Sequence, residues 1–152
     1  MYNDIITLFN RVTGADGDTW RATVLTGVNL VLDKAALIDT YGESTADNAM
    51  LNVRLYNTGG TKWIVSNDVS FAYVPPKEYA RLADKTGYLT FTPGNAFDFY
   101  WRGIWEGSSV ISDDNYGDMS FYDWMSQNYD HVYAVSSFSE LSVIPHLEIA
   151  GR

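Results

Sequence analysis

The sequence predicts a mainly β domain, a small β-barrel or sandwich with one or two short helices, and three observations predict it. Stretches of period two recur along the chain, turn clusters rich in Gly, Asn and Asp separate them, and only short segments carry helical spacing. With 152 residues, 46% of them hydrophobic, the chain suits a single mostly-β domain spanning residues 1–152.

The first strand runs from Asp4 to Arg11, and the turn cluster Gly14-Ala15-Asp16-Gly17-Asp18 returns the chain into a second. In that second strand Trp20, Ala22, Val24, Val28, Leu30 and Leu32 fall on one face, with Gly27 placed for a bulge or bend. Residues 33–48 break the pattern as a loop excursion. Leu51, Val53 and Leu55 resume it until Asn57-Thr58-Gly59-Gly60. Two short strands are expected around Trp63 to Val65 and Phe71 to Val74. Pro75-Pro76 then stops the ladder and opens a helix over Lys77 to Ala83.

Gly87 to Phe91, the turn Pro93-Gly94-Asn95 and the segment AFDFYWRGIW (96–105) are expected to pair as a hairpin. Residues 103–130 form an acidic, aromatic-rich insertion. Within it Ser120 and Asp123 have capping-box spacing ahead of a helix that sets Phe121, Trp124 and Met125 on one face. Two strands, Val132 to Phe138 and Leu141 to Ile149, end the chain, the second with Leu141, Val143, Leu147 and Ile149 on one side.

Several function classes have little to work with. The absence of cysteine removes disulfides, thiolate metal sites and cysteine nucleophiles. Phosphate-loop and GxSxG motifs are absent. His131 and His146 lack a third ligand at metal spacing, and Asp113 to Asp118 departs from a calcium loop in its glycine and its twelfth residue, so no metal or cofactor is expected. A glycosidase would need two carboxylates across a cleft, for which the acids between Asp98 and Asp130 are the only material. No run approaches the roughly 18 apolar residues of a membrane span, and no secretory signal is evident, so the chain is expected inside a cell.

The net charge of −9 disfavours polyphosphate binding, and its acidic excess is C-terminal: Gly103 to Gly151 holds eight acids and no Lys or Arg. Aromatic residues concentrate in the same region, with 11 of 23 between Phe97 and Tyr133. In AFDFYWRGIW, Phe97, Phe99 and Trp101 alternate with Asp98, Tyr100 and Arg102. The first face reads as core. Tyr100, Arg102 and Trp105 read as an interface, because Tyr, Trp and Arg dominate protein–protein hot spots; sugar stacking would use the same rings.

The order of these motifs resembles the head-completion, or stopper, proteins that join capsid connector to tail in long-tailed double-stranded DNA bacteriophages. YNDIITLFNR opens the chain, TWRATVLTGV follows the first turn, TADNAMLNVRL enters the next strand, LTFTPGNAFDFYWRG follows, and IPHLEIAGR closes it. The chain is also similar to structural-module proteins of prophages in anaerobic Firmicutes. The resemblance implies a non-enzymatic virion protein assembled in the host bacterial cytoplasm, a small β-barrel forming a hexameric ring with other copies of itself. Its partners would be phage connector, adaptor and tail proteins, with DNA passing unbound and no membrane involved. It places a channel loop at the 33–48 excursion, where Leu37, Ile38 and Tyr41 would form an apolar plug and Asp39 part of a phosphate-repelling rim; a helix lying over the barrel end is the competing expectation. A tail or capsid accessory protein, or an aromatic carbohydrate-binding module, are the alternative functions.

Overall fold

The computed structural model describes residues 2–33, 37 and 48–152. Strands β1 (Asp4–Gly14) and β2 (Gly17–Val31) form a long antiparallel hairpin through the Gly14↔Gly17 turn. They are followed by β3 (Ala49–Arg54), β4 (Tyr56–Thr58), β5 (Thr61–Ser66), β6 (Val69–Tyr73), helix α1 (Pro76–Arg81) and β7 (Tyr88–Leu89). Then come β8 (Phe99–Trp101), β9 (Val110–Ser112), a 3-10 turn (Asp113–Tyr116), helix α2 (Phe121–Asn128), β10 (Val132–Leu141) and β11 (His146–Gly151). Neighbour order β1-β8-β10-β11-β3-β2, with β2 pairing back to β1, closes a six-stranded barrel. Strand β9 adds to the free edge of β2 beside the barrel. Strands β4-β5-β6-β7 make a second sheet.

The barrel interior is one apolar cluster drawn from all six strands, including Ile6, Leu8, Leu25, Val28, Leu51, Val53, Tyr100, Val135, Leu147 and Ile149. The second sheet closes onto it with Ile64, Tyr73 and Leu89, and Phe91 follows. A second cluster, dominated by rings, lies on the barrel's outer wall. Phe9, Trp20 and Phe99 are there covered by Ile111 of β9 and by Phe121 and Met125 of α2. The 103–130 region is therefore the cover of one wall rather than an appendage. Ser120 caps α2 by accepting from Asp123 N at 3.1 Å, as its spacing predicts.

The even-numbered apolar face of β2 divides at the expected bulge. Register with β1 shifts between Asp4↔Val28 and Ile6↔Leu25, and Gly27 holds a left-handed φ of 66°. One inserted residue reverses the alternation: Trp20 and Ala22 face the outer cluster, while Val28 and Leu30 face the interior.

Two expected pairings differ. Gly87 to Phe91 does not form a hairpin with AFDFYWRGIW, because Tyr88–Leu89 runs parallel to β6 whereas Phe99–Trp101 lies between β1 and β10. The last strand begins at His146, not Leu141. Pro145 cannot donate to a ladder, so residues 142–145 become the turn and Val143 leaves the core face for solvent.

Of the residues expected in the channel loop, Ile38, Asp39 and Tyr41 lie outside the described residues. Leu37 is 1% exposed, its N–H donating to Asp33 O at 3.0 Å and its side chain packing on Val31, Met50 and Ala150. That side chain packs against β2, β3 and β11. Leu37→Ala should lower the stability by about 2–3 kcal/mol, measured by urea unfolding, as truncation of a buried leucine does.

Candidate functional site

The segment 98–105 explains most of its own composition. Strand β8 is buried on both faces. Phe99 stacks on Phe9 at 4.7 Å and meets Trp20 edge-on at 4.9 Å in the outer cluster, while Tyr100 turns inward. Tyr100 is 0% exposed, and its hydroxyl donates to Ile149 O at 3.2 Å across the intervening strand β10. It is therefore a core residue and not part of an exposed interface. Alternation reveals two faces, but both are covered once the sheet is a closed barrel with a packed outer wall. Trp105 is half-buried against Phe9 (5.7 Å) and Phe121 (5.3 Å), so it too is largely structural.

Arg102 is exposed as expected. The chain turns sharply behind it: Gly103 N donates to Trp101 O at 2.9 Å, and a Cβ at Gly103 would lie 2.4 Å from the Trp101 ring. Thr7 Oγ1 pins the turn, donating to Gly103 O (2.8 Å) and accepting from Trp105 N (3.1 Å). Arg102 N also donates to His131 O at 3.1 Å. His131 adopts a left-handed φ of 62°, uncommon for a residue with a Cβ, and its Nδ1 lies 2.9 Å from Tyr133 Oη. Burial raises the Tyr133 phenol pKa, Arg102 opposes the rise and Asp130 adds to it. Ile104 and Tyr129 flank this group and are also exposed.

The result is a rim of one guanidinium, one imidazole, two phenols and an aliphatic side chain, a composition suited to binding a protein surface. Nearby rings are less suited to sugar. Tyr116, Trp124, Tyr129 and Trp101 run in sequence at 5.1, 5.9 and 4.9 Å, tilted by 48°, 66° and 54°. Rings tilted into one another spend their faces internally instead of presenting a flat stacking platform.

A second surface lies at the β10–β11 turn. Val143 is 97% and Ile144 74% exposed, far beyond what isolated surface aliphatics need. The hairpin arms pair as β10 and β11; Glu140 of β10 also forms an ion pair with Lys62 of β5, and on β11 His146 Nε2 faces Glu148 at 3.5 Å. The sequence reading missed this surface by extending the strand through it; Pro145 is the signal that could have located it.

Asp98 is engaged by donors of the chain itself. This carboxylate is 1% exposed: Oδ1 accepts from Arg11 N (2.8 Å), and Oδ2 from Asn10 Nδ2 (2.9 Å) and Thr92 N (2.8 Å). Burial pushes its pKa up to about 6 against the pull of those donors. With both oxygens occupied it ties β1 to the segment preceding β8. Above it opens a pocket of about 190 Å³ lined by Arg11, Tyr79, Lys85 and Thr92 among others, where burial pushes the Tyr79 phenol up to about 12. Asp113 is likewise structural, its Oδ1 accepting from Trp20 Nε1 (2.7 Å) and Phe121 N (2.9 Å). Among the described residues no group of three metal-binding side chains converges, and no helix is long and apolar enough to cross a membrane.

The fold is that of a closed six-stranded β-barrel with a second sheet and a ring-rich outer wall. The chain belongs to the family described as "Family of unknown function (DUF6751)", whose model matches residues 1–152. No curated protein and no solved structure matches it.

Proposed function

We propose that this chain is a non-enzymatic structural subunit of a bacteriophage virion, a head–tail connector of the stopper kind that forms a ring around the DNA channel. The observation that carries this reading is the exposure of two adjacent aliphatic side chains, Val143 (97%) and Ile144 (74%), at the β10–β11 turn. Side chains of that kind are stabilised by burial in a neighbour, and a ring subunit has a neighbour on each side. The resemblance of the ordered motifs to stopper proteins supplies the setting. The acid excess suits a channel component, since a surface of net charge −9 does not hold passing DNA through phosphate contacts.

The test is to purify particles from a lysogen carrying the gene and locate the protein by immunogold labelling. Label at the head–tail junction is expected; label along the tail or over the capsid would select an accessory protein, and protein only in the soluble fraction would overturn the virion assignment. Arg102→Glu should fold like the parent, because the side chain is exposed, yet reduce incorporation about tenfold, the effect of about 1.4 kcal/mol at a contact. Quantitative mass spectrometry of the particles reads that ratio.

A further inference from the structure

The pocket above Asp98 joins parts of the chain that are distant in sequence: the end of β1, helix α1 and the segments flanking β7. Its volume of about 190 Å³ exceeds the roughly 150 Å³ that holds a benzene ring, so it takes a body of about six to eight non-hydrogen atoms. The lining has two halves. Val12, Pro76 and Ala80 are apolar, Arg11 and Lys85 are the only charged residues, and no carboxylate lines it. Tyr79 forms another wall, and its buried hydroxyl makes no hydrogen bond to the chain.

Both cations are held in place by the chain. The Arg11 guanidinium lies 4.5 Å from the Trp20 ring and 4.8 Å from the Phe97 ring, its Nε donating to Phe97 O and its Nη1 to Asp18 Oδ2, each at 3.2 Å, which leaves Nη2 unshared. Lys85 Nζ stands 5.4 Å from the Tyr79 ring and donates to Leu82 O at 2.8 Å, engaging one of its three N–H groups. Asp18 offsets the charge of Arg11, and Asp98 spends its oxygens on Asn10, Arg11 N and Thr92 N. Among the described residues no carboxylate pairs with Lys85, so the pocket keeps one unpaired positive charge in a chain of net charge −9. We propose that this pocket binds a short aliphatic carboxylate, its head on Lys85 and Arg11 and its chain against Val12, Pro76 and Ala80. An inorganic anion would leave the apolar half unused, and a neutral amide of the same shape would leave Lys85 without a counter-charge. Cations fixed in advance lower the ordering cost of binding. The site is independent of the ring reading above.

The test is a titration of the isotope-labelled full chain with sodium butyrate at neutral pH and constant ionic strength, followed by amide NMR. The amides of Val12, Thr13, Ala80 and Lys85 should shift together and saturate with a Kd of about 1 mM, whereas butyramide and inorganic phosphate should give no saturating shift there. Lys85→Gln should weaken binding about tenfold. Lys77→Gln, the same charge change on the exposed side of α1 and outside the pocket, should leave it unchanged. Ala80→Glu sets a carboxylate at an exposed position of the lining and should abolish binding with the fold intact, so the proposal stays falsifiable even where Lys85→Gln disturbs the fold. Butyrate shifts that climb linearly to about 50 mM would overturn the inference. So would phosphate or butyramide saturating as well as butyrate, equal losses for Lys77→Gln and Lys85→Gln, or undiminished binding by a folded Ala80→Glu chain.

Discussion

Asp98→Ala is expected to destabilise the protein by about 4 kcal/mol in urea or thermal unfolding, because it strips the acceptor from three buried donors at once. Two of those donors are backbone N–H groups of Arg11 and Thr92 that cannot turn elsewhere. Asn10 keeps its bond to Thr90 O at 2.7 Å, so its loss is partial. The pH dependence has a defined sign. Asp98 is raised from 3.8 to about 6 in the folded chain, so its contribution to stability is fully present below 3.8 and is lost as pH rises through about 6. Asp98→Asn should abolish that slope while costing less than the alanine variant. A parent protein whose stability is flat from pH 4 to 7, with the other carboxylates accounted for by the Asn variant, would show the three hydrogen bonds outweighing burial.

Tyr100→Ala is expected to cost a further large amount, about 4 kcal/mol, as truncation of a fully buried ring does. Tyr100→Phe should cost about 1 kcal/mol, the worth of the hydroxyl's bond to Ile149 O. The contrast separates core packing from surface recognition: a ring on an interface would tolerate alanine in the isolated chain. The fit is tight enough that a Cβ at Gly151 would lie 2.4 Å from Tyr100 Oη and 2.7 Å from Tyr133 Cβ. Gly151→Ala should therefore also lower the melting temperature, though the hydroxyl end of Tyr100 has some freedom to yield.

The mainly β class was legible because period-two alternation and turn residues are local properties. So were the Gly27 bulge, the Ser120 cap and the position of the first hairpin. What stayed illegible depends on distant partners. Asp98 between Phe97 and Phe99 looks like the polar face of a strand until Asn10 and Thr92 are brought against it. Tyr100 shares that face and enters the barrel interior, a placement decided by closure of β1 onto β2 and β8. The second sheet was half legible: its β5–β6 hairpin is sequential, but β7 joins in parallel after a helix, and a two-residue strand carries no pattern of its own. The rim around Arg102 was legible through that one residue; Ile104 follows it in the chain, whereas Tyr129, His131 and Tyr133 come from a distant segment.

The placement of β11 also has a kinetic consequence. It bridges β10 and β3, whose partner positions on it are separated in the chain by the whole second sheet and the aromatic cover. Until residues 146–151 have emerged from the ribosome, β3 and β10 each expose an unpaired edge, and the nascent chain is an open sheet. Closure must then bring together segments far apart in sequence, which slows folding relative to a chain built from local hairpins. A truncation just before His146 would thus yield not a smaller barrel but two aggregation-prone edges, giving cellular chaperones a long-lived client.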